Sequence, residues 1–169
     1  MSDIPWFETT AIIRYDPPRP GMRRRTEWWC VATVSGQIAA HMRRWVDVSI
    51  LNPFAIPDAG LIPPPWGAHV SVIRGEKPPP STRNLWKKHD GRKIVIRYAF
   101  DPRPGDRLDG GTDFWVIEVK SPEIIAIRDE LGLVTRHPLH LTIGKARDPA
   151  PKNEAAELLV AFTRAKRQS

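Results

Sequence analysis

Cysteine is nearly absent: Cys30 is the single one in 169 residues, so the chain has neither a disulfide framework nor a thiolate set for zinc. Flanked by apolar residues, Cys30 reads as a small buried hydrophobe. Also missing is any apolar run near the roughly 20 residues that span a bilayer. Met1 to Thr10 carries neither the basic nor the apolar stretch of a secretory leader. A cytoplasmic protein without a membrane partner is therefore expected. No glycine-rich phosphate loop and no Ser-His-Asp order occurs, which leaves nucleoside triphosphate hydrolysis and acyl transfer without support. Acidic residues are in deficit, with 19 Asp and Glu against 26 Lys and Arg, giving a net charge of +7 and a pI near 10.0.

That imbalance favours anionic partners, polyanions or nucleotides above all. The basic residues clump at Arg23-Arg24-Arg25, Arg43-Arg44, Lys87-Lys88, Arg92-Lys93 and Arg164 to Arg167. Any single clump reads equally as a solvated face, and the terminal one is best taken so; the total is what points to an anion. Seven Trp is a high count; most serve a core, while one or two beside positive charge suit base stacking. With 41% apolar residues, residues 1–169 suit a single compact domain, either undivided or made of two lobes sharing a core.

Two copies of one pattern stand out, His69-Val70-Ser71-Val72 and His140-Leu141-Thr142-Ile143. On an extended backbone alternate side chains face opposite ways. His69 and Ser71, like His140 and Thr142, therefore share a surface, while Val70, Val72, Leu141 and Ile143 point to a core. Five histidines in a chain where about one residue in ten is Ser or Thr give roughly half such a match by chance. The intervening apolar residues and an internal repeat give the pair its weight. At an offset of 86, Trp28-Trp29 lies over Phe114-Trp115, Ser35 over Ser121 and Ile38 over Ile124.

Each copy reads as an apolar strand (Trp28 to Val34, Phe114 to Val119), a Ser-capped helix and then a histidine strand. Pro122 at the first helical position and Gly132 past the end sharpen the second helix. Asn52 to Pro65, with five prolines, reads as a loop. Ile12-Ile13 suits a strand, Asp16 to Gly21 a turn region, Asp90-Gly91 a turn, Lys93 to Phe100 a strand and Asp101 to Thr112 a loop. A last helix capped by Asn153 carries Leu158, Leu159 and Phe162 on one side.

Phosphodiester cleavage needs a base for the oxygen nucleophile, an acid for the departing oxygen, and donors for the non-bridging oxygens. Two imidazoles and two hydroxyls supply these without a metal or other cofactor: one imidazole neutral, the other protonated, near neutral pH. Zinc is the competing chemistry, with His69 and His140, or His137 and His140, as ligands; no third ligand stands at a recognisable spacing. His41 and His89 read as surface or core residues. A basic nucleic-acid-binding module without turnover explains the charge and the tryptophans, although not the paired motif. Trp66, Trp86 and Tyr15 are the candidates for base contact, with Arg74 and Lys145 for phosphate. Arg74 and Lys145 each follow their histidine by five positions, which is the wrong face of a regular strand; either contributes only if the strand ends or bulges near Gly75 or Gly144.

These motifs, one per lobe, resemble the two-histidine (2H) phosphoesterase superfamily, which includes RNA 2',3'-cyclic phosphodiesterases. The resemblance implies a bilobed α+β fold of two pseudo-symmetric antiparallel sheets around a central groove, with helices outside. It carries His69 and His140 over as the acid and base pair and Ser71 and Thr142 as phosphate binders; Ser71 stands where many members have Thr and keeps the donor. The surroundings Trp66-Gly67-Ala68-His69-Val70-Ser71-Val72-Ile73-Arg74-Gly75-Glu76 and Leu139-His140-Leu141-Thr142-Ile143-Gly144 are similar to phage anti-CBASS phosphodiesterases. Those enzymes degrade cyclic di- and trinucleotide immune messengers. The implied substrate is a cyclic oligonucleotide, in the cytoplasm of a phage host; an RNA end with a 2',3'-cyclic phosphate is the alternative.

Overall fold

The computed structural model describes residues 4–19, 26–51, 60–105, 114–135 and 137–145. The helix expected after Asn153, the arginine clumps at 23–25 and 164–167, and most of the proline-rich loop lie outside them. Among the described residues no helix is long and apolar enough to cross a membrane.

The chain is α+β and almost wholly antiparallel. Its strands are β1 (Trp6–Tyr15), β2 (Trp29–Thr33), β3 (His69–Arg74), β4 (Lys93–Ala99), β5 (Arg103–Pro104), β6 (Phe114–Lys120) and β7 (His140–Lys145). Helix α1 (Gly36–Val46), which runs on into one wider π-helical turn at Asp47–Leu51, follows β2; helix α2 (Pro122–Glu130) follows β6. Capping is local in origin. The Ser35 hydroxyl accepts from Gln37 N at 3.3 Å and the Ser121 hydroxyl from Ile124 N at 3.4 Å. Gly132, at φ +70°, takes the left-handed position that ends α2. β1 is longer than the Ile12-Ile13 signal, because Trp6 to Thr10 pair residue by residue with Val95 to Ala99.

Strand order is β4-β1-β2-β3-β7-β6-β5, and β4 also pairs with β6. Six strands thus close into a barrel, where two open sheets are expected from the resemblance. Closure rests on two narrow seams, Val70↔Leu141 between β3 and β7 and Arg97↔Lys120 with Tyr98↔Val119 between β4 and β6. An open sheet leaves a row of unpaired N–H and C=O groups at each edge, and closure removes those edges.

Residues directly opposed in antiparallel strands share a face, so the registers sort the side chains. Ile13, Ala32, Val70, Leu141 and Ile117 follow one another across β1, β2, β3, β7 and β6, and all are buried. Against this face lie Ala39, Met42 and Val46 of α1 and Ile124 and Ile127 of α2, in one core that also takes in Cys30. The helices cross over: α1 lies on β7 and α2 on β3.

The registers align the two halves one residue away from the offset that identities suggest. Val31↔Ser71 matches Val116↔Thr142, and Thr33↔His69 matches Glu118↔His140, an offset of 85 rather than 86. The same offset carries the buried Ala39, Met42 and Val46 onto the buried Ile124, Ile127 and Leu131. Identity misleads here because the two cap serines are not equivalent; α1 begins one residue earlier in its repeat than α2.

Gly144 shows how close the layers are, since a Cβ there would stand 2.9 Å from both Arg43 Cδ and Leu61 Cβ. Gly144→Ala is expected to cost about 1–3 kcal/mol by overpacking. Urea unfolding measures this; an unchanged midpoint would mean that α1 is free to withdraw.

Candidate active site

β3 and β7 alternate as half-buried strands do: Val70 and Leu141 are fully buried, while His69, Ser71, His140 and Thr142 are partly exposed. β2 backs the first motif through Thr33↔His69 and Val31↔Ser71; β6 backs the second through Glu118↔His140 and Val116↔Thr142. At the seam Val70 faces Leu141. Counting outward from that pair in antiparallel sense sets His69 across from Thr142 and Ser71 across from His140. The four chemical groups form a quadrilateral, with the imidazoles on one diagonal and the hydroxyls on the other.

Both rings are held alike. His69 Nδ1 donates to Gly67 O at 3.0 Å and His140 Nδ1 to Pro138 O at 3.4 Å, each carbonyl two residues back. A carbonyl can only accept, so each Nδ1 carries the proton and, in the neutral ring, each Nε2 carries the lone pair. The His69 pKa lies below its ordinary 6.5: burial disfavours the cation most, the Gly67 carbonyl opposes this, and the positive fields of Arg19 and Arg74 and the His140 ring push it further down. His69 is therefore more readily neutral than a free imidazole.

A bulge follows each motif. On β3, Cys30 faces Ile73 while Val31 faces Ser71, which makes Val72 the extra residue. On β7, Trp115 faces Gly144 while Val116 faces Thr142, which makes Ile143 the extra residue. One inserted residue flips what comes after it. Arg74 and Lys145 are thereby returned to the histidine face, where regular strands would have turned them away. Arg74 lies across from Trp29 and Lys145 across from Phe114.

Two arginines hold these bulges, one of them from the basic clump Arg43-Arg44. Arg128 Nη1 of α2 donates to Val72 O at 2.6 Å, and Arg43 Nη1 of α1 donates to Ile143 O at 2.8 Å. They are equivalent under the 85-residue repeat, so each helix braces the bulge of the opposite half. Arg128, only 6% exposed, also binds Glu76 through both carboxylate oxygens, at 2.7 and 3.1 Å, and Val134 O and Thr135 Oγ1 on the way to β7. The signal was present in the chain, at an offset one residue from the one that identities favour.

Trp66 is 41% exposed beside the first motif, with the Arg19 guanidinium 4.6 Å from its ring. Tyr15 and Trp86 are not brought to the site. Tyr15 is 7% exposed, on the helix-covered face with its ring edge-on to Trp86 at 4.8 Å; burial raises its phenol pKa. Trp86 packs on Trp28 at 5.0 Å and donates Nε1–H to Asp16 at 3.2 Å. Both are structural, because a turn at 86–91 folds them under the end of β1. His89 joins that turn to α2 through Glu130 at 2.5 Å, His41 lies 6.2 Å from the Phe100 ring, and His137 is exposed. Among the described residues no three His, Cys, Asp or Glu side chains converge as a metal site.

Comparison of the chain with protein-family models, curated proteins and solved structures finds no match. The resemblance to 2H phosphoesterases therefore stands on the two motifs alone.

In a nuclear magnetic resonance titration His69 is expected to protonate below pH 6.5. Arg19→Ala is expected to move the midpoint upward, because loss of a neighbouring cation eases protonation. A wild-type midpoint at or above 6.5 would contradict the field described.

Proposed function

We propose that this chain is a metal-independent phosphodiesterase in which His69 and His140 act on one phosphodiester as general base and general acid. The observation that carries it is the matched pair of imidazoles, each on a strand of one shared seam with Nδ1 tied to the carbonyl two residues back. Ser71 and Thr142, on the other diagonal, donate to the non-bridging oxygens. Arg74 and Lys145 add positive charge on the same face, in keeping with a net charge of +7 and an anionic substrate.

The favoured substrates are the 3',5' linkages of cyclic di- or trinucleotides, by likeness of the motif surroundings to anti-CBASS enzymes. The base removes the proton of a ribose 2'-hydroxyl, whose oxygen attacks the adjacent phosphorus. The bond from phosphorus to the 5'-oxygen breaks as the acid protonates that oxygen. A linear product results, ending in a 2',3'-cyclic phosphate. The depressed His69 pKa suits it to the base role and leaves His140 as the acid.

The test is incubation with cyclic dinucleotides and with RNA ending in a 2',3'-cyclic phosphate, in EDTA, followed by chromatography. Linear products are expected. His69→Ala and His140→Ala are each expected to lower kcat by about 10²- to 10⁴-fold, and Thr142→Val by about 10²-fold, with the fold retained. Opening of the RNA end alone would move the activity to that substrate. Intact substrate beside clear binding would make the chain a basic binding module. Activity lost to EDTA and restored by zinc would replace the acid and base scheme with a metal.

A further inference from the structure

Arg19 was singled out by no motif, yet its guanidinium carbon lies 4.1 Å from the Trp29 ring centroid and 4.6 Å from that of Trp66. Arg74 approaches Trp29 too, at 5.9 Å. Two guanidiniums thus converge on one indole. They are close enough that Arg74, after burial, is a cause of the lowered Arg19 pKa, and both fields reach His69.

Like charges gathered on partly desolvated aromatic surface repel one another unless a counter-charge is present. Among the described residues no carboxylate pairs with the Arg19 or Arg74 side chain, and the N–H groups of both guanidiniums have no hydrogen-bond acceptor there. The acid nearest Arg74 in sequence, Glu76, accepts from the Arg74 backbone N–H and pairs with the Arg128 guanidinium, and the one nearest Arg19, Asp16, pairs with Lys87. The indole faces orient Arg19 while leaving its in-plane donors unused, an arrangement suited to two oxygens of a phosphate.

We propose that Arg19 and Arg74, seated on Trp29 and Trp66, form a binding point for a second phosphate of the substrate, one that does not react. The inference rests on the phosphodiesterase reading, since the reacting phosphate is the one between His69 and His140. The ligand class is a nucleotide carrying at least two phosphates. A mononucleotide offers this point nothing.

Binding is measured in His140→Ala protein, so that the ligand stays intact, with two probes: a 3',5'-linked cyclic dinucleotide and a nucleoside 3'-monophosphate. Adding Arg19→Ala is expected to weaken the cyclic dinucleotide at least about tenfold and the mononucleotide less than about twofold. Arg19→Lys, which keeps the charge and loses the fork, falls between and serves the same comparison if Arg19→Ala does not fold. Equal losses for both probes, or no loss for either, would overturn the inference. Tight Arg19-dependent binding of a cyclic dinucleotide that the wild type never cuts would keep the anion point and end the phosphodiesterase reading. Cleavage by the wild type, with Arg19→Ala in the His140→Ala background binding as tightly as that background alone, would do the reverse.

Discussion

The hydrogen bonds from Arg128 to Val72 O and from Arg43 to Ile143 O are what the histidine face depends on. A bulge leaves a strand carbonyl without its ladder partner, and a buried unpaired carbonyl is costly. Each helix meets that demand with an arginine reaching to the opposite half. With the bulges held, Arg74 and Lys145 emerge beside His69 and His140, and Gly144 turns toward α1 where no side chain fits. The seam itself has a single paired position, Val70↔Leu141, so the cross-bracing by the helices is what keeps the two motifs in register.

Charge is segregated by the same construction. On the helix-covered face Arg128 is neutralised by Glu76, and Arg43 is drawn toward Asp47. On the histidine face Arg19 and Arg74 have no such partners among the described residues, and after burial their fields add to the lowering of the His69 pKa. Glu118, across from His140, lies 3.9 Å from Lys120, so the second motif has a mixed neighbourhood where the first is one-sidedly positive. Burial and the two guanidinium fields favour the neutral form of His69, which is the form a general base needs.

Much of the fold was legible. Ser121, Pro122 and Gly132 mark α2 because capping and left-handed closure are local chemistry, and Val70 and Leu141 mark a half-buried strand because alternation is a property of the extended chain. Arg74 is instructive: it follows its histidine by an odd number of positions, and only an inserted residue returns it to the face. Tyr15 and Trp86 show the opposite failure. Aromatic side chains near basic residues are equally suited to a core and to a ligand, and nothing within either segment tells which face the 86–91 turn covers.

The amino-acid order by itself determined α2 and its ends, the half-buried character of both motif strands and the placing of an imidazole and a hydroxyl on one side of each. These follow from periodicity and from bonds within a few residues. Only the tertiary structure decided that the sheet closes, that the repeat runs at 85, that the quadrilateral of His69, Thr142, His140 and Ser71 forms, and that Arg19 comes to rest between Trp29, Trp66 and Arg74. Each of these depends on pairing between strands far apart in the chain, where register is settled by the burial of a whole face and not by any local run of residues.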